Sequence, residues 1–318
     1  MDIPDWYVTL GNDSAKVLEE ECPHSVFELI AYHGTRIAPK QVKKLYRNGK
    51  NMQFFFCIGY TRDIFNPFEK KTYGSAEVFE MYKNWRKYLS EVGFEGQLML
   101  AEYYVLSELP NQGPRGRALL WPMEVILEDF RFYLKEGIAG LSDFIIFDRL
   151  CWPSPFNVWC WFQLWKNPET TIEALKDDFY PKYFGKTGVL VREYIDKLEA
   201  AMHERTSPDN IERVKDLVRI LDSIESPEGD EQLSQRLKLV RIHHEYCVLL
   251  KEIFQAFIDD NPARWQALEK PYITFFETHL SDLEGHIEPL PPHWADTWYT
   301  WAVKRGTHLE MAKNEMLH

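Results

Sequence analysis

Four acidic residues lie at or just after apolar segments that are typical of buried strands. They are Asp63, Glu102, Glu108 and Asp148. Glycoside hydrolysis uses two carboxyl groups about 5–10 Å apart, one protonated as general acid and one ionised as nucleophile or base. Adjacent strand ends provide that spacing. Because burial favours the protonated form, we predict that Glu102, in the apolar segment LMLAEYY, is the acid and that Asp148 is its partner.

The same strand ends carry aromatic and cationic side chains that are suited to sugars. Tyrosine rings stack on the apolar faces of sugars, and arginine binds a carboxylate, such as that of a uronic acid, through two parallel hydrogen bonds. Tyr103 and Tyr104 point to opposite faces of a regular strand, so at most one of them reaches a pocket. The predicted substrate-binding residues are Tyr32, His33, Arg36, Tyr60, Arg62, Asp63, Tyr103 and Trp152.

Each of these residues also has a purely structural interpretation. A carboxylate at a strand end commonly pairs with arginine or caps the next helix, and Arg62 and Arg149 each adjoin one of the acids. His33 fits a hydrogen-bonded histidine at the edge of the sheet. Trp161 and Trp165, four residues apart, are typical of a helix that buries both rings.

The segments that position these side chains repeat one pattern. Each is an apolar run followed by aromatic, charged and turn-forming residues, which predicts parallel strands buried on both faces. Ligand sites of β/α barrels and open α/β sheets form at the carboxyl ends of such strands. The segments are 25–36, 51–63, 96–108 and 141–155.

Helical periodicity appears between the later strands and after them. Apolar residues at a spacing of three to four predict a helix that ends at Gly93, and segment 121–137 predicts another. Residues 1–150 are therefore predicted to form β/α units, and residues 151–318 an all-helical domain. A closed barrel needs eight strands. The predicted fold class is α/β: a partial, half TIM-like β/α barrel with four parallel strands, followed by helices.

Composition excludes several classes of protein. A formal net charge of −12 without a dense Lys/Arg run argues against a nucleic-acid partner. Five cysteines without CxxC spacing favour reduced thiols. The absence of HExxH and of glycine-rich phosphate loops predicts no metal and no cofactor. Without a signal peptide or a long apolar run, the chain as given is expected to be cytoplasmic and not membrane-bound, although a missing N-terminus would change that expectation.

Several quoted segments resemble a known family. ELIAYHGTRIAPK, NMQFFFCIGYTRD and FRFYLKEGIAGLSDFIIFDRL, followed by FQLWKNPETTIEALKDDFYPKYFG, resemble the later part of a bacterial glycosidase-like family of unknown function. Its barrel is similar to those of alpha-glucuronidases and beta-hexosaminidases. The resemblance implies that the four strands are the fifth to eighth of a barrel. It also implies that the Asp-Glu pair at the end of the fourth strand is missing from the chain.

These observations leave three functional hypotheses. The first is a glycoside hydrolase-like protein, the C-terminal portion of a glycan- or uronic-acid-processing enzyme. The second is a truncated or split-gene product that binds sugar without catalysis, and the third is a helical protein-interaction module. The expected partner is carbohydrate. Half a barrel exposes two sheet edges and an apolar inner face, which also predicts a homodimer or association with a separately encoded N-terminal barrel half.

Overall fold

The structure is a computed structural model, and it describes two compact units. The described residues are 2–58, 66–72, 75–102, 123–143, 155–204, 206–225 and 229–283. Those up to residue 143 form the first unit, called here the sheet unit, and those from residue 155 onward form the second, called here the helical unit.

The sheet unit contains one sheet of four parallel strands. They are β1 (Phe27–Ala31), β2 (Met52–Cys57), β3 (Gln97–Glu102) and β4 (Gly140–Asp143), hydrogen-bonded in the order β1-β2-β3-β4. Strand order that follows the chain is the winding of a barrel arc, whereas a doubly wound sheet reverses direction at a switch point. The predicted fold, a four-stranded partial β/α barrel followed by helices, is confirmed.

Three helices accompany this sheet: α1 (Ile3–Glu21), α2 (Ala76–Glu91) and α3 (Met123–Lys135). The sequence predicted α2 and α3 but not α1. Asp2 caps α1 by accepting a hydrogen bond from the Asp5 N–H at 3.3 Å. A Cβ atom at Gly11 would lie 2.7 Å from Leu29 Cδ1, so glycine allows α1 to approach β1 closely.

One face of the sheet is covered by these helices. Alternate strand residues, among them Leu29, Phe54 and Leu100, are at most 3% exposed. They pack in one core cluster with rings from α2 and α3. The Phe54 ring lies 4.4 Å from that of Trp85, centroid to centroid. This cluster contains 12 of the 47 aromatic residues of the chain.

The other face of the sheet is not covered in the same way. Ile30 is 38% exposed, while Phe55 and Met99 are half-buried. Polar side chains also lie here, and Gln53 Nε2 donates to Gln97 Oε1 at 3.4 Å. Burial on this face is therefore partial, since Cys57 and Ala101 are 7% and 5% exposed whereas Ile30 is not buried. The cause is that α1, α2 and α3 contribute their buried residues to the opposite face.

The outer edge of β1 is closed by side chains of the sheet unit. The Ile30 N–H donates to the Tyr7 hydroxyl at 2.9 Å, and the Tyr32 N–H donates to Thr35 Oγ1 at 2.9 Å. These N–H groups point away from β2, toward the side of β1 on which a further strand would otherwise bind. These two positions of the edge are thus occupied by side chains, and the expectation of exposed sheet edges stays a prediction.

The described residues of the helical unit form helices and connecting turns without strands. Thr171 and Ser207 cap two of the helices through their side-chain oxygens. The helical run 208–222 is interrupted at Leu217. The helices are α4 (Pro155–Lys166), α5 (Ile172–Phe184), α6 (Gly188–His203), α7 (Pro208–Asp216), α8 (Val218–Asp222), α9 (Glu231–Ile258) and α10 (Pro262–Leu283).

Aromatic rings fill the start of the helical unit. Phe156 stacks on Tyr180 with centroids 5.5 Å apart. Trp161 is buried as expected, but Trp165 is 41% exposed, so the prediction that both rings are buried is wrong for Trp165. Among the described residues, no helix combines the length and the apolar character that a bilayer crossing requires.

Candidate functional site

The candidate site lies at the carboxyl ends of the parallel strands. Tyr32, His33 and Arg36 follow β1 directly, and Glu102 is the last residue of β3. The register pairs Glu102 with Asp143 at the end of β4. Parallel strands present these residues at one edge of the sheet, as the sequence predicted.

A short 3-10 turn, His33–Thr35, shapes the loop after β1. His33 has a φ of 47°, in the left-handed region that non-glycine residues rarely adopt. The Thr35 hydroxyl holds this turn by donating to the Tyr32 main-chain oxygen at 2.8 Å, and the Ile30 main-chain oxygen lies 3.2 Å from the same hydroxyl. The Arg36 N–H donates to the His33 carbonyl at 3.0 Å. Residue 36 therefore leaves the turn in a fixed direction.

Arg36 is the unusual residue of this loop, because its side chain is only 8% exposed. Its Nη1 donates to the Ile58 carbonyl at 3.3 Å, and Cζ lies 5.6 Å from the Tyr32 ring centroid. Its Nε is buried and has no hydrogen-bond partner among the described residues. Among the described residues, no carboxylate forms an ion pair with it. A buried guanidinium without a counter-ion is costly unless a ligand supplies the charge.

The Tyr32 ring beside this guanidinium also contacts a second ring and a small apolar patch. The Tyr32 and His33 rings lie 3.9 Å apart, with their planes inclined by 54°. Tyr32 packs beside Cys57 and Ala101, which project from the less covered face of the sheet. The arrangement places an aromatic platform next to a cation, which suits a ligand with an apolar face and an anionic group.

Glu102 occupies a different environment from Tyr32. It alternates with Leu98 and Leu100 and so projects to the face that the helices cover. It is 1% exposed, and its Oε1 accepts a hydrogen bond from the Tyr133 hydroxyl of α3. Its predicted burial is confirmed. Its catalytic role stays a prediction, since the carboxyl group and the Tyr32 ring leave the sheet on opposite faces.

Most of the other predicted site residues lie outside the described residues. This applies to the predicted catalytic partner and to five of the eight predicted substrate-binding residues, and their roles stay predictions. They are Asp148, Tyr60, Arg62, Asp63, Tyr103 and Trp152.

The sequence analysis missed Asp5, a fully buried carboxylate in the first turn of α1. Its oxygens accept hydrogen bonds from the N–H groups of Lys40, Gln41 and Val42 at 3.2, 2.6 and 2.8 Å. Burial raises the pKa of Asp5, but the hydrogen bonds from these backbone donors and with Asp2 lower it by a larger amount. The resulting pKa is about 2. An acid in the first turn of a capped helix was the available signal. Asp5 fixes the segment that continues from Arg36.

Among the described residues, no three His, Cys, Asp or Glu side chains lie close enough together to hold a metal ion. No disulfide joins the four described cysteines, of which Cys22 is exposed and Cys57, Cys160 and Cys247 are buried.

A parallel sheet wound in one direction, with an aromatic and guanidinium cluster at its carboxyl edge, defines an α/β protein whose sheet resembles part of a β/α barrel. The chain belongs to the family described as Domain of unknown function (DUF4838), whose model matches residues 2–196. The match spans the sheet unit and extends into α6. No curated protein and no solved structure matches the chain.

Proposed function

We propose that the protein is a glycoside hydrolase-like, carbohydrate-active protein that binds a glycan or a uronic acid at the carboxyl edge of its sheet. The buried guanidinium of Arg36, beside the Tyr32 ring, is the observation that carries the proposal. The similarity of the quoted segments to a glycosidase-like family, with barrels like those of alpha-glucuronidases and beta-hexosaminidases, supports the same class.

In this proposal Arg36 binds a carboxylate of the sugar, and Tyr32 stacks on the sugar ring. His33 lies against Tyr32 and forms a hydrogen bond with a hydroxyl of the sugar, either as donor or as acceptor. A ligand carboxylate would give the guanidinium the counter-ion that the described residues do not supply, so its binding offsets the cost of burying the charge. Glu102 acts as general acid with Asp148 as nucleophile or base, and Tyr133 orients the Glu102 carboxyl group.

Sugar binding without catalysis is the second candidate function. It is favoured by the position of Glu102, which projects to the helix-covered face while Tyr32 projects to the other face. A general acid must reach the glycosidic oxygen of a sugar that rests on the platform.

Titration calorimetry with glucuronate, galacturonate and glucose tests the binding step. Uronates are expected to bind, and Arg36→Met is expected to weaken their binding about 30-fold or more, because a charge-assisted pair is lost. Arg86→Met is the matched control, since Arg86 also donates to a main-chain carbonyl in the sheet unit, that of Glu136 at 2.8 Å. Equal affinity of Arg36→Met and the parent would contradict the proposal.

Hydrolysis of aryl glucuronides separates the two candidates. Turnover that is lost in Glu102→Gln and in Asp148→Asn, with uronate binding retained, supports the enzyme. Binding without turnover in the parent supports the second candidate.

A further inference from the structure

Thr35 binds both main-chain polar groups of one residue of the candidate site. Its hydroxyl oxygen accepts a hydrogen bond from the Tyr32 N–H at 2.9 Å, and the same hydroxyl donates to the Tyr32 carbonyl at 2.8 Å. Tyr32 has an extended backbone, with a φ of −143° and a ψ of 144°. Because one side chain holds both polar groups, the direction in which the Tyr32 side chain leaves the main chain is fixed.

The next residue, His33, is held in a conformation that it would not keep by itself. Its φ is 47°, and a non-glycine residue stays in this left-handed region only where surrounding contacts enforce it. Two main-chain hydrogen bonds of the turn contribute: the Thr35 N–H donates to the Tyr32 carbonyl at 3.1 Å, and the Arg36 N–H donates to the His33 carbonyl at 3.0 Å. The two bonds of the Thr35 hydroxyl reinforce them.

The turn determines where the Arg36 side chain begins, and the sheet determines where it ends. At the far end, Nη1 donates to the Ile58 carbonyl at 3.3 Å. The Ile58 N–H in turn donates to the Ala101 carbonyl at 3.0 Å, which continues the pairing of β2 with β3. At the near end, the turn brings residue 36 back toward residue 32, and Cζ lies 5.6 Å from the Tyr32 ring centroid. A change in the turn would therefore separate ring and guanidinium while the sheet stays as it is.

From this geometry, and resting on the proposed function, we propose that Thr35 is a positioning residue of the sugar site. Its hydroxyl holds the Tyr32 ring and the Arg36 guanidinium at a spacing at which one uronate contacts both. A ligand that meets groups already in place binds without the free-energy cost of ordering them. Thr35 acts through these two residues, because its own hydroxyl is already bonded to Tyr32 as donor and as acceptor.

Titration calorimetry of the full chain with glucuronate tests this role. Thr35→Val keeps the shape of the side chain but removes the hydroxyl, and it is expected to raise the dissociation constant about tenfold. Thr35→Ala also lacks the hydroxyl and is expected to lose about as much. Thr35→Ser keeps the hydroxyl and is expected to bind within about twofold of the parent. Urea denaturation followed by circular dichroism verifies that each variant is folded, and if one of the two hydroxyl-free variants does not fold, the other carries the test.

Tyr7→Phe is the matched control. The Tyr7 hydroxyl also accepts a hydrogen bond at 2.9 Å from a main-chain N–H at the outer edge of β1, that of Ile30, but Tyr7 lies outside the turn. Removal of this hydroxyl is expected to leave the dissociation constant for glucuronate within about twofold of the parent. A loss of affinity as large as that of Thr35→Val would show that hydrogen bonds at this edge support binding only by stabilising the sheet, which overturns the positioning role.

A double-mutant cycle shows whether Thr35 acts through Arg36. In an Arg36→Met background the guanidinium is absent, and only the Tyr32 ring is left to position. Thr35→Val is expected to change the dissociation constant of that background by less than about threefold. A further tenfold loss there would mean that the two residues act independently, and the proposal would be wrong.

Failure of this role and failure of the proposed function give different results. A parent chain that binds none of the uronates overturns the proposed function together with the positioning role. A parent chain that binds glucuronate, together with a Thr35→Val variant that binds it equally tightly, overturns the positioning role alone.

Discussion

The two faces of the sheet differ in what covers them. Phe54 and Phe55 are neighbours in β2, yet Phe54 is 1% exposed and lies against Trp85, while Phe55 is half-buried on the opposite face. The same side chain thus occurs in two environments one residue apart. The helix-covered face supplies the packing that stabilises the sheet unit. The other face packs less tightly, and at the carboxyl edge it carries the aromatic platform of the candidate site.

Alanine substitution at the two phenylalanines is the sharpest test of this difference. Phe54→Ala is expected to lower the free energy of unfolding by about 3–5 kcal/mol, because it leaves a cavity beside Trp85. Phe55→Ala is expected to cost less than half as much, since its site already contacts solvent. Urea denaturation followed by circular dichroism measures both. Equal losses would show that the two faces contribute alike.

Asp5 connects α1 to the segment that follows β1, and its contribution can be compared with that of an exposed acid on the same helix. Asp5→Asn removes the charge that three backbone N–H groups bind, and we expect a loss of about 2–3 kcal/mol. Asp13→Asn, an exposed change on the same helix, is the control and is expected to cost less than about 0.5 kcal/mol.

Acid titration of stability follows from the same residue. The folded pKa of Asp5, about 2, lies below its ordinary value of 3.8, so its contribution is complete above about pH 4 and is lost as the pH falls toward 2. The free energy of unfolding of Asp5→Asn is expected to depend less on pH over that interval than that of the parent. Parallel plots of the free energy of unfolding against pH for the two proteins between pH 4 and 2 would show that the pKa of Asp5 is not depressed.

Two buried tyrosines on the covered face provide a smaller test. Tyr133 donates to Glu102, whereas the buried Tyr88 hydroxyl has no hydrogen-bond partner within the described part of the chain. We expect Tyr133→Phe to cost about 1–3 kcal/mol, because a buried carboxyl group loses a donor, and Tyr88→Phe to be neutral or stabilising. A neutral Tyr133→Phe would indicate that Glu102 does not depend on this bond for its position.

The smallest effect is expected on the less covered face. Ile30→Thr keeps a β-branched side chain at a position that is 38% exposed, so the free energy of unfolding should change by less than about 0.5 kcal/mol. A loss above about 1 kcal/mol would show that another part of the protein covers this face in solution.

The strands and most helices were predictable because their signals are local. Apolar runs bounded by turn residues predicted β1 to β4, and a three-to-four spacing predicted α2 and α3. α1 was missed because its apolar residues occupy exposed as well as buried positions, which blurs the periodicity of a single face. The unequal covering of the two sheet faces was also missed, because apolar strand residues such as Ile30 and Phe55 look alike in sequence whether or not a helix packs on them.

The candidate site was predictable in position but not in orientation. Strand ends indicated Arg36 and Glu102, yet the face to which each projects depends on register and on the turn after β1. The burial of Arg36 depends on its contacts with Ile58 and Tyr32. Ile58 is distant in sequence, and the turn between Tyr32 and Arg36 sets how these two side chains meet. Asp5 acts on residues 35 to 37 positions away, a distance at which sequence spacing carries no signal.

The hydrogen bonds at the outer edge of β1 have a consequence for solubility. β1 reads FELIA, and an unprotected strand of this kind is a template for fibril growth by strand addition. With the Ile30 and Tyr32 N–H groups bonded to Tyr7 and Thr35, an incoming strand must first displace both side chains. Tyr7 and Thr35 thus act as gatekeepers against aggregation at this edge, in the way that natural sheets block their terminal strands.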